Sequence, residues 1–428
     1  MYQKVVPATA APQLPRRPPA FDLTMFAGAS LAMLGTLYVY DSIGPVASLL
    51  TRDLHFSDVE IGTLNAIYSV PNIFMGLVGG LLIDRWGVRV VVFWTALLCL
   101  AGALLTSALP SFPLMVAGRL LFGLGAETLM VGVLVAMAQW FSGRSFALLL
   151  ALNISLGRLG SYLADRSPSF AHTLYEHGWR PPLLLAVVMS ALAFLGVVLY
   201  VRVDRRATDL GLLARAPLQE RFVWRSILRF RASYWLLLAI CVAFYSVIVP
   251  FRSTFAIKFF QNAHGLTLED ASRMNSYVYM AAIFAMPAFG WCVDRFGHHA
   301  LLMIAGSVLL PLAFLLMADA TVDLWLPTAL LGLSYSLIPA VLWPLVPEFA
   351  PNHQGTAYGL MVVLQNTGLA LSNIIAGVLN DSRVAGAQNP QGYAAMLVYF
   401  GVLSLAACLL SVMLALSSRR RLAAPTGA

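Results

Sequence analysis

Two residues of opposite charge stand where hydrocarbon should surround them. Glu127 lies in GRLLFGLGAETL, Gly118–Leu129, inside an apolar run from Leu114 to Trp140, and Arg158 lies in SLGRLGS, Ser155–Ser161, inside the next run. An ionisable side chain within a bilayer costs about 2.5–3.5 kcal/mol on insertion scales, so it faces a cavity or a partner. Glu127 is about 13 residues into its run and Arg158 about 12 into an antiparallel neighbour. At 1.5 Å per residue both reach about 18–20 Å, close to the centre of a core roughly 30 Å thick. A carboxylate and a guanidinium at one depth suit a small zwitterion: Glu127 accepts its ammonium and Arg158 grips its carboxylate with two parallel bonds. The other reading is a buried ion pair that tethers two helices. Both hold if the ligand inserts between the partners.

Two more arginines and an aspartate share this surrounding. Arg119 precedes Glu127 by eight residues, about two helical turns, in Arg119-x-x-x-Gly123-x-Gly125, whose glycines serve close helix packing. Its expected role is supporting, as in proton coupling. Asp41 sits in the aromatic run Tyr38-Val39-Tyr40-Asp41, and Arg252 in VPFRST some 211 residues later. An opposed pair on equivalent helices would make a gate or a ligand clamp, against the alternative of a solvated cavity lining. Asp41 and Glu127 are the candidate proton carriers, because all seven histidines fall in loops or at span edges. No nucleophile–base set, catalytic residue or metal-ligand spacing appears, and no cofactor is expected. The four cysteines are scattered singly through apolar stretches, which is neither a zinc nor a disulfide pattern.

The elements that position these groups follow from composition. The chain has 428 residues, 60% hydrophobic and 11% charged, with mean hydropathy +0.79, far from the roughly one-quarter charged residues of a soluble protein. Apolar runs long enough to span fall, to within several residues, at about 22–47, 60–83, 89–109, 113–140, 146–164, 181–203, 234–257, 275–293, 300–318, 324–346, 356–379 and 393–416. Runs of this length must be helical, since hydrocarbon offers backbone groups no other partner. The expected fold is an all-α membrane protein of twelve transmembrane helices in two pseudo-symmetric six-helix halves. Its parts are a tail at 1–21, a first half at 22–203, a linker at 204–231, a second half at 232–416 and a tail at 417–428. The Pro-rich N-terminus shows no small-residue cleavage site, so the first span is expected to stay. With both termini cytoplasmic, 18 of the 27 Lys and Arg residues fall on that side, including eight arginines from Arg202 to Arg231. The net charge of +8 is thus a matter of topology, and nucleic acid is a poor partner.

The halves repeat. Gly80-x-x-x-Asp84-Arg85-x-Gly87 after the second span returns as Gly290-x-x-x-Asp294-Arg295-x-Gly297 after the eighth, an offset of 210 residues. Internal repeats build many secondary transporters, with substrate bound near the midplane between them. These residues, with Arg89, resemble the loop motif of the major facilitator superfamily. There the aspartate can cap a helix start and pair with arginine as the halves rock, a gating role expected of Asp84, Arg85, Arg89, Asp294 and Arg295. A fixed charge pair that only orients the chain is the plainer reading.

A closer resemblance is carried by YVYDSIGP from Tyr38, GRLLFGLGAETL from Gly118, SLGRLGS from Ser155, NSYVY from Asn275, LGLSYSLIPAVLWPLVPE from Leu331 and HQGTAYGLMVVLQNTGLALSNIIAGVLND from His353. These stretches, in both halves, resemble the lysosomal dipeptide transporter family and its bacterial relatives. The resemblance implies a dipeptide substrate moved by alternating access, with Glu127 and Arg158 holding its charged ends. It also places Tyr277, Trp343 and Asn366 in stretches that could line side-chain pockets, although interhelix packing would explain them equally. Arg252 departs from the apolar residue expected there, so charge selectivity can differ. Animal members of that family work with a glycosylated accessory subunit, to which nothing in this sequence points. The other functions weighed are a carrier of organic anions or drugs, using Arg158 and Arg252 with Glu127 as a proton site, and a non-transporting membrane receptor. An enzyme is the least supported. Two lysines beside so many arginines point to a bacterial inner membrane.

Overall fold

The computed structural model describes residues 18–141, 144–213, 230–296, 299–319, 322–350 and 354–423. The first half contains α1 (Pro19–Asp41), α2 (Ile43–Leu54), α3 (Asp58–Trp86), α4 (Val88–Ala108), α5 (Phe112–Trp140), α6 (Arg144–Phe170), the single turn α7 (His172–Glu176) and α8 (Arg180–Asp209). The second contains α9 (Ala232–Pro250), a five-residue π turn (Phe251–Phe255), α10 (Ala256–His264), α11 (Leu268–Phe296), α12 (His299–Met317), α13 (Trp325–Phe349), α14 (Gln354–Ser382) and α15 (Ala394–Ala423). Joining α1 to α2, and α9 through the π turn to α10, gives twelve crossing units, six in each half. Among the described residues ten of these are long and apolar enough to cross a membrane. The other two, α3 and α6, have 29 and 27 residues and stand where the alternation of direction requires a span. Helix α8 runs to Asp209, so the linker expected from residue 204 begins as helix.

The repeat extends beyond the loop motif into the helix ends. Helix α2 closes on His55 at φ 57° and α10 on Gly265 at φ 66°. Two residues later Ser57 accepts the Glu60 amide at 3.2 Å while Glu60 accepts the Ser57 amide at 2.9 Å. At the matching place Thr267 accepts the Asp270 amide at 3.1 Å and donates to its carboxylate at 2.9 Å. Each satisfies amides that the first turn of a helix leaves without partners. The long helices α1 and α9 break at equivalent points too. Pro45 has no N–H to continue the ladder through Asp41 and Ser42, and Pro250 leads into the π turn that contains Arg252. Asp41 and Arg252 therefore each stand at a helix break.

Within a half, small residues let backbones touch. A side chain started at Gly160 on α6 would lie 2.0 Å from the Leu34 carbonyl oxygen on α1. Gly160→Ala is therefore expected to push α1 and α6 apart at a cost of about 1–3 kcal/mol, read as a lower melting temperature in detergent. A melting temperature equal to that of the unaltered chain would refute the contact.

Between the halves, α3 lies along α14 and α6 along α11. Among the described residues, the bonds that cross from one half to the other are concentrated toward the α2–α3 turn, hereafter the far side. At the other end, that of the chain termini, Gly80 and Gly290 have open space where a side chain would begin, and Arg85, Trp86 and Arg295 are exposed. Among the described residues, the halves are bonded to each other on the far side, and the glycines and arginines of the repeated motif at the near side stand open.

Candidate functional site

Arg119 answers first why an arginine is tolerated at midspan. It is 1% exposed and donates to four acceptors: the carbonyls of Leu64 (3.1 Å), Val39 (3.1 Å) and Tyr40 (3.3 Å), and Asn65 Oδ1 (2.5 Å). Its guanidinium also lies 5.6 Å from the ring centres of Tyr68 and Phe122. The fork ties α5 to α3 and to the carbonyls beside the break in α1, with no carboxylate involved. Arg119→Lys should leave acceptors bare at about 1–3 kcal/mol each, lowering the melting temperature while the folded fraction keeps its ligand response. Unchanged stability would count against this clamp.

Arg158 is held differently. Its guanidinium carbon lies 5.2 Å from the Tyr335 ring centre and 5.6 Å from that of Tyr279, and its buried Nε has no acceptor. No carboxylate among the described residues pairs with it. Cation–ring contacts steady a guanidinium without using up its hydrogen-bond donors. Beside this floor, Trp343 stacks on Tyr358 at 6.0 Å and donates to the Tyr245 hydroxyl at 3.2 Å. The Tyr358 hydroxyl donates in turn to the Trp343 carbonyl at 3.0 Å. These aromatic residues all belong to the second half.

Glu127 is half-buried on α5, within Coulombic reach of Tyr68, and has no hydrogen bond or ion pair among the described residues. Glu127 and Arg158 thus do not pair with each other. Arg158 points at the rings of α11 and α13, which leaves a carboxylate on α5 and a guanidinium on α6 each without an ion-pair partner among the described residues.

Asp41 and Arg252 do meet. Arg252 Nη1 donates to Asp41 Oδ1 at 2.7 Å, Nη2 donates to Asp165 Oδ2 at 2.5 Å, and the guanidinium carbon lies 3.7 Å from the Tyr279 ring centre. Toward the far side Lys258 pairs with Asp58 and donates to Thr51 Oγ1 at 3.0 Å, while Asn380 donates to Asp58 Oδ2 at 2.8 Å. Asp381 on α14 accepts the amides of Asp58 and Val59 at 2.9 Å each, so one half supplies the anion at the N-terminus of a helix in the other. Asn65 adds bonds to the Ser253 carbonyl and Thr254 Oγ1. This is the far gate.

Sequence reasoning missed Asp165, Tyr279 and Lys258. Asp165 falls one residue past the apolar run ended at 164, yet it is seven residues after Arg158, two turns along one helix face, which is the signal that would have found it. Tyr277 is half-buried on α11; the ring that meets both guanidiniums is Tyr279, two residues on. Asn366 accepts from Asn72 of the other half at 3.4 Å. Arg89 pairs with Asp204 and donates to Thr208 at 2.8 Å, both on α8 of its own half, and Trp140 joins them through Asp204. Arg85 and Arg295 are exposed, while the side chains of Asp84 and Asp294, and all of Gly297, lie outside the described ones.

Two six-helix bundles, joined by ion pairs toward the far side, with lone charges at midspan, are the architecture of a secondary transporter. The profile of the Major Facilitator Superfamily matches residues 25–373, and the chain belongs to that superfamily. Among curated relatives, the lysosomal dipeptide transporter MFSD1 of Danio rerio is 30% identical over 393 residues, covering 89% of this chain and 83% of the relative. The Homo sapiens MFSD1 is 29% identical over 396 residues, covering 89% and 82%. A probable nitrate/nitrite antiporter of Thermus thermophilus, NarK1, is 24% identical over 358 residues, covering 74% and 76%. Among solved structures the nucleoside transporter NupG superposes with a TM-score of 0.74 at 14% identity, covering 91% of this chain and 99% of that one, which supports the fold.

Proposed function

We propose that this transporter moves small zwitterions, foremost dipeptides, by alternating access between its halves. The observation that carries the reading is that Glu127 and Arg158 each lack an ion-pair partner among the described residues, so a ligand bearing an ammonium and a carboxylate completes both. The similarity to MFSD1 across both halves supports a dipeptide. So does charge balance. Asp41, Glu127 and Asp165 offset Arg119, Arg158 and Arg252, and a ligand of zero net charge keeps that balance, whereas an organic anion needs an accompanying cation. The aromatic group of Tyr245, Trp343 and Tyr358 lies where uncharged side chains of a ligand could rest. Gating on the near side is assigned to Asp84, Arg85, Arg89, Asp294 and Arg295, and the cell location to a bacterial inner membrane with both termini in the cytoplasm.

The test is thermal stability of the purified chain against dipeptides, single amino acids and organic acids, since a ligand that binds only the folded state stabilises it by RT ln(1 + [L]/Kd). Dipeptides should raise the melting temperature most. Stabilisation by organic acids without any by dipeptides would overturn the proposal in favour of anion transport.

A further inference from the structure

We propose that Asp41 and Asp165 form a cation-binding site, which Arg252 fills while the far side is closed and a small monovalent cation, sodium ion or proton, fills when it opens. The proposal rests on the alternating-access reading above. Its basis is which half supplies which charge. Both carboxylates belong to the first half, on α1 and α6, and the guanidinium to the second, on the π turn. The two aspartate side chains are 0% and 2% exposed, and Asp41 Oδ2 is buried with no donor among the described residues. The site is thus a built receptor for positive charge, with one oxygen still unused, and its present occupant is tethered to the other side of a moving interface.

Parting of the halves on the far side carries Arg252 away. Other groups do not replace it. Arg119 and Arg158 lie within Coulombic reach of Asp41, but the first spends its donors on three carbonyls and Asn65, and the second rests on tyrosine rings. Tyr279 stays with Arg252 on the second half, and the Tyr40 and Tyr175 phenols beside the aspartates carry no positive charge. Two carboxylates that shared one guanidinium are then left side by side, an arrangement like charges resist and a cation relieves. A sodium ion enters and leaves with no bond broken. A proton comes from far-side water to form one carboxyl O–H, and returns to water when Arg252 comes back.

The full chain in nanodiscs, without ligand, tests this through spin labels at Glu176 and Glu269. Both are exposed, one on each half, and they line a far-side cavity of about 510 Å³. The four native cysteines are replaced by alanine. One arm exchanges sodium for choline at fixed pH, and the other lowers pH at fixed sodium. One arm is expected to lengthen the distance, the open-to-closed ratio rising about tenfold for each tenfold rise in the cation within its binding range. Asp41→Asn and Asp165→Asn should flatten that response. Should either variant not fold, Arg252→Gln empties the site in the closed state, and it should gain a saturable thermal stabilisation by the same cation that the native chain lacks. A distance indifferent to both cations, a response that survives in the aspartate variants, or no gain in Arg252→Gln each overturn the proposal. No ligand is present, so the outcome is separate from whether zwitterions bind at Glu127 and Arg158.

Discussion

Glu127→Gln and Arg158→Ala are each expected to weaken dipeptide binding by at least about 30-fold, and transport with it. Cutting one side of a desolvated charge contact costs about 2–5 kcal/mol, because the ligand's own charge is left without its partner. The two variants differ in what they stop sensing. The native chain should bind a free dipeptide better than its C-terminal amide and better than its N-acetyl form. Arg158→Ala should lose the first distinction and keep the second, and Glu127→Gln should do the reverse. Binding measured by calorimetry or thermal shift with the three ligands decides the matter. Either variant holding the native affinity for the free dipeptide would refute the pairing of ends with residues. Because Arg158 is seated on rings rather than on a carboxylate, its loss strands no buried anion, so both variants should fold.

The second large effect concerns the far seam. A side chain begun at Gly62 would lie 2.4 Å from the Asn373 carbonyl oxygen, and one at Gly377 would lie 2.6 Å from the Asp58 carbonyl oxygen. These backbones approach this closely only because no β-carbon intervenes. Gly62→Val and Gly377→Val should destabilise the far-closed state by about 1–3 kcal/mol, shifting the population about 5- to 150-fold toward far-side opening. The expected signature is a longer distance between labels at Glu176 and Glu269 together with slowed uptake into proteoliposomes. Ligand binding from the far side should persist, which separates this outcome from misfolding. Native distances and native uptake in both variants would show that the seam does not govern closure.

Much of this was legible in the sequence. Twelve apolar runs and the motif repeated at 210 residues define a two-bundle membrane fold, because hydrocarbon allows few other solutions. Glu127, Arg158, Asp41 and Arg252 stood out since charge is rare inside spans. What stayed hidden depends on azimuth and on breaks. Depth placed Glu127 and Arg158 at one level, but only the facing of α6 shows that Arg158 turns toward Tyr279 and Tyr335. Asp165 looked like the start of a loop, as hydropathy falls before the helix ends. Arg119 resembled the other charged residues by type, yet its partners are backbone carbonyls that no side-chain pattern announces. Arg89 carries a motif associated with contact between halves, and its partner Asp204 lies within its own half.

The meeting of Asp41 with Arg252 also bears on how such a chain arises from duplication. The two residues occupy equivalent places, one position off the 210-residue spacing, and yet touch. Elements that touch their own copies straddle the approximate dyad relating the halves. Immediately after a gene doubles, any ionised residue on such an axis confronts its twin and is repelled by it. Closure through charge at that spot therefore requires the copies to diverge to opposite sign, and the asymmetry is a condition of the lock rather than drift around it.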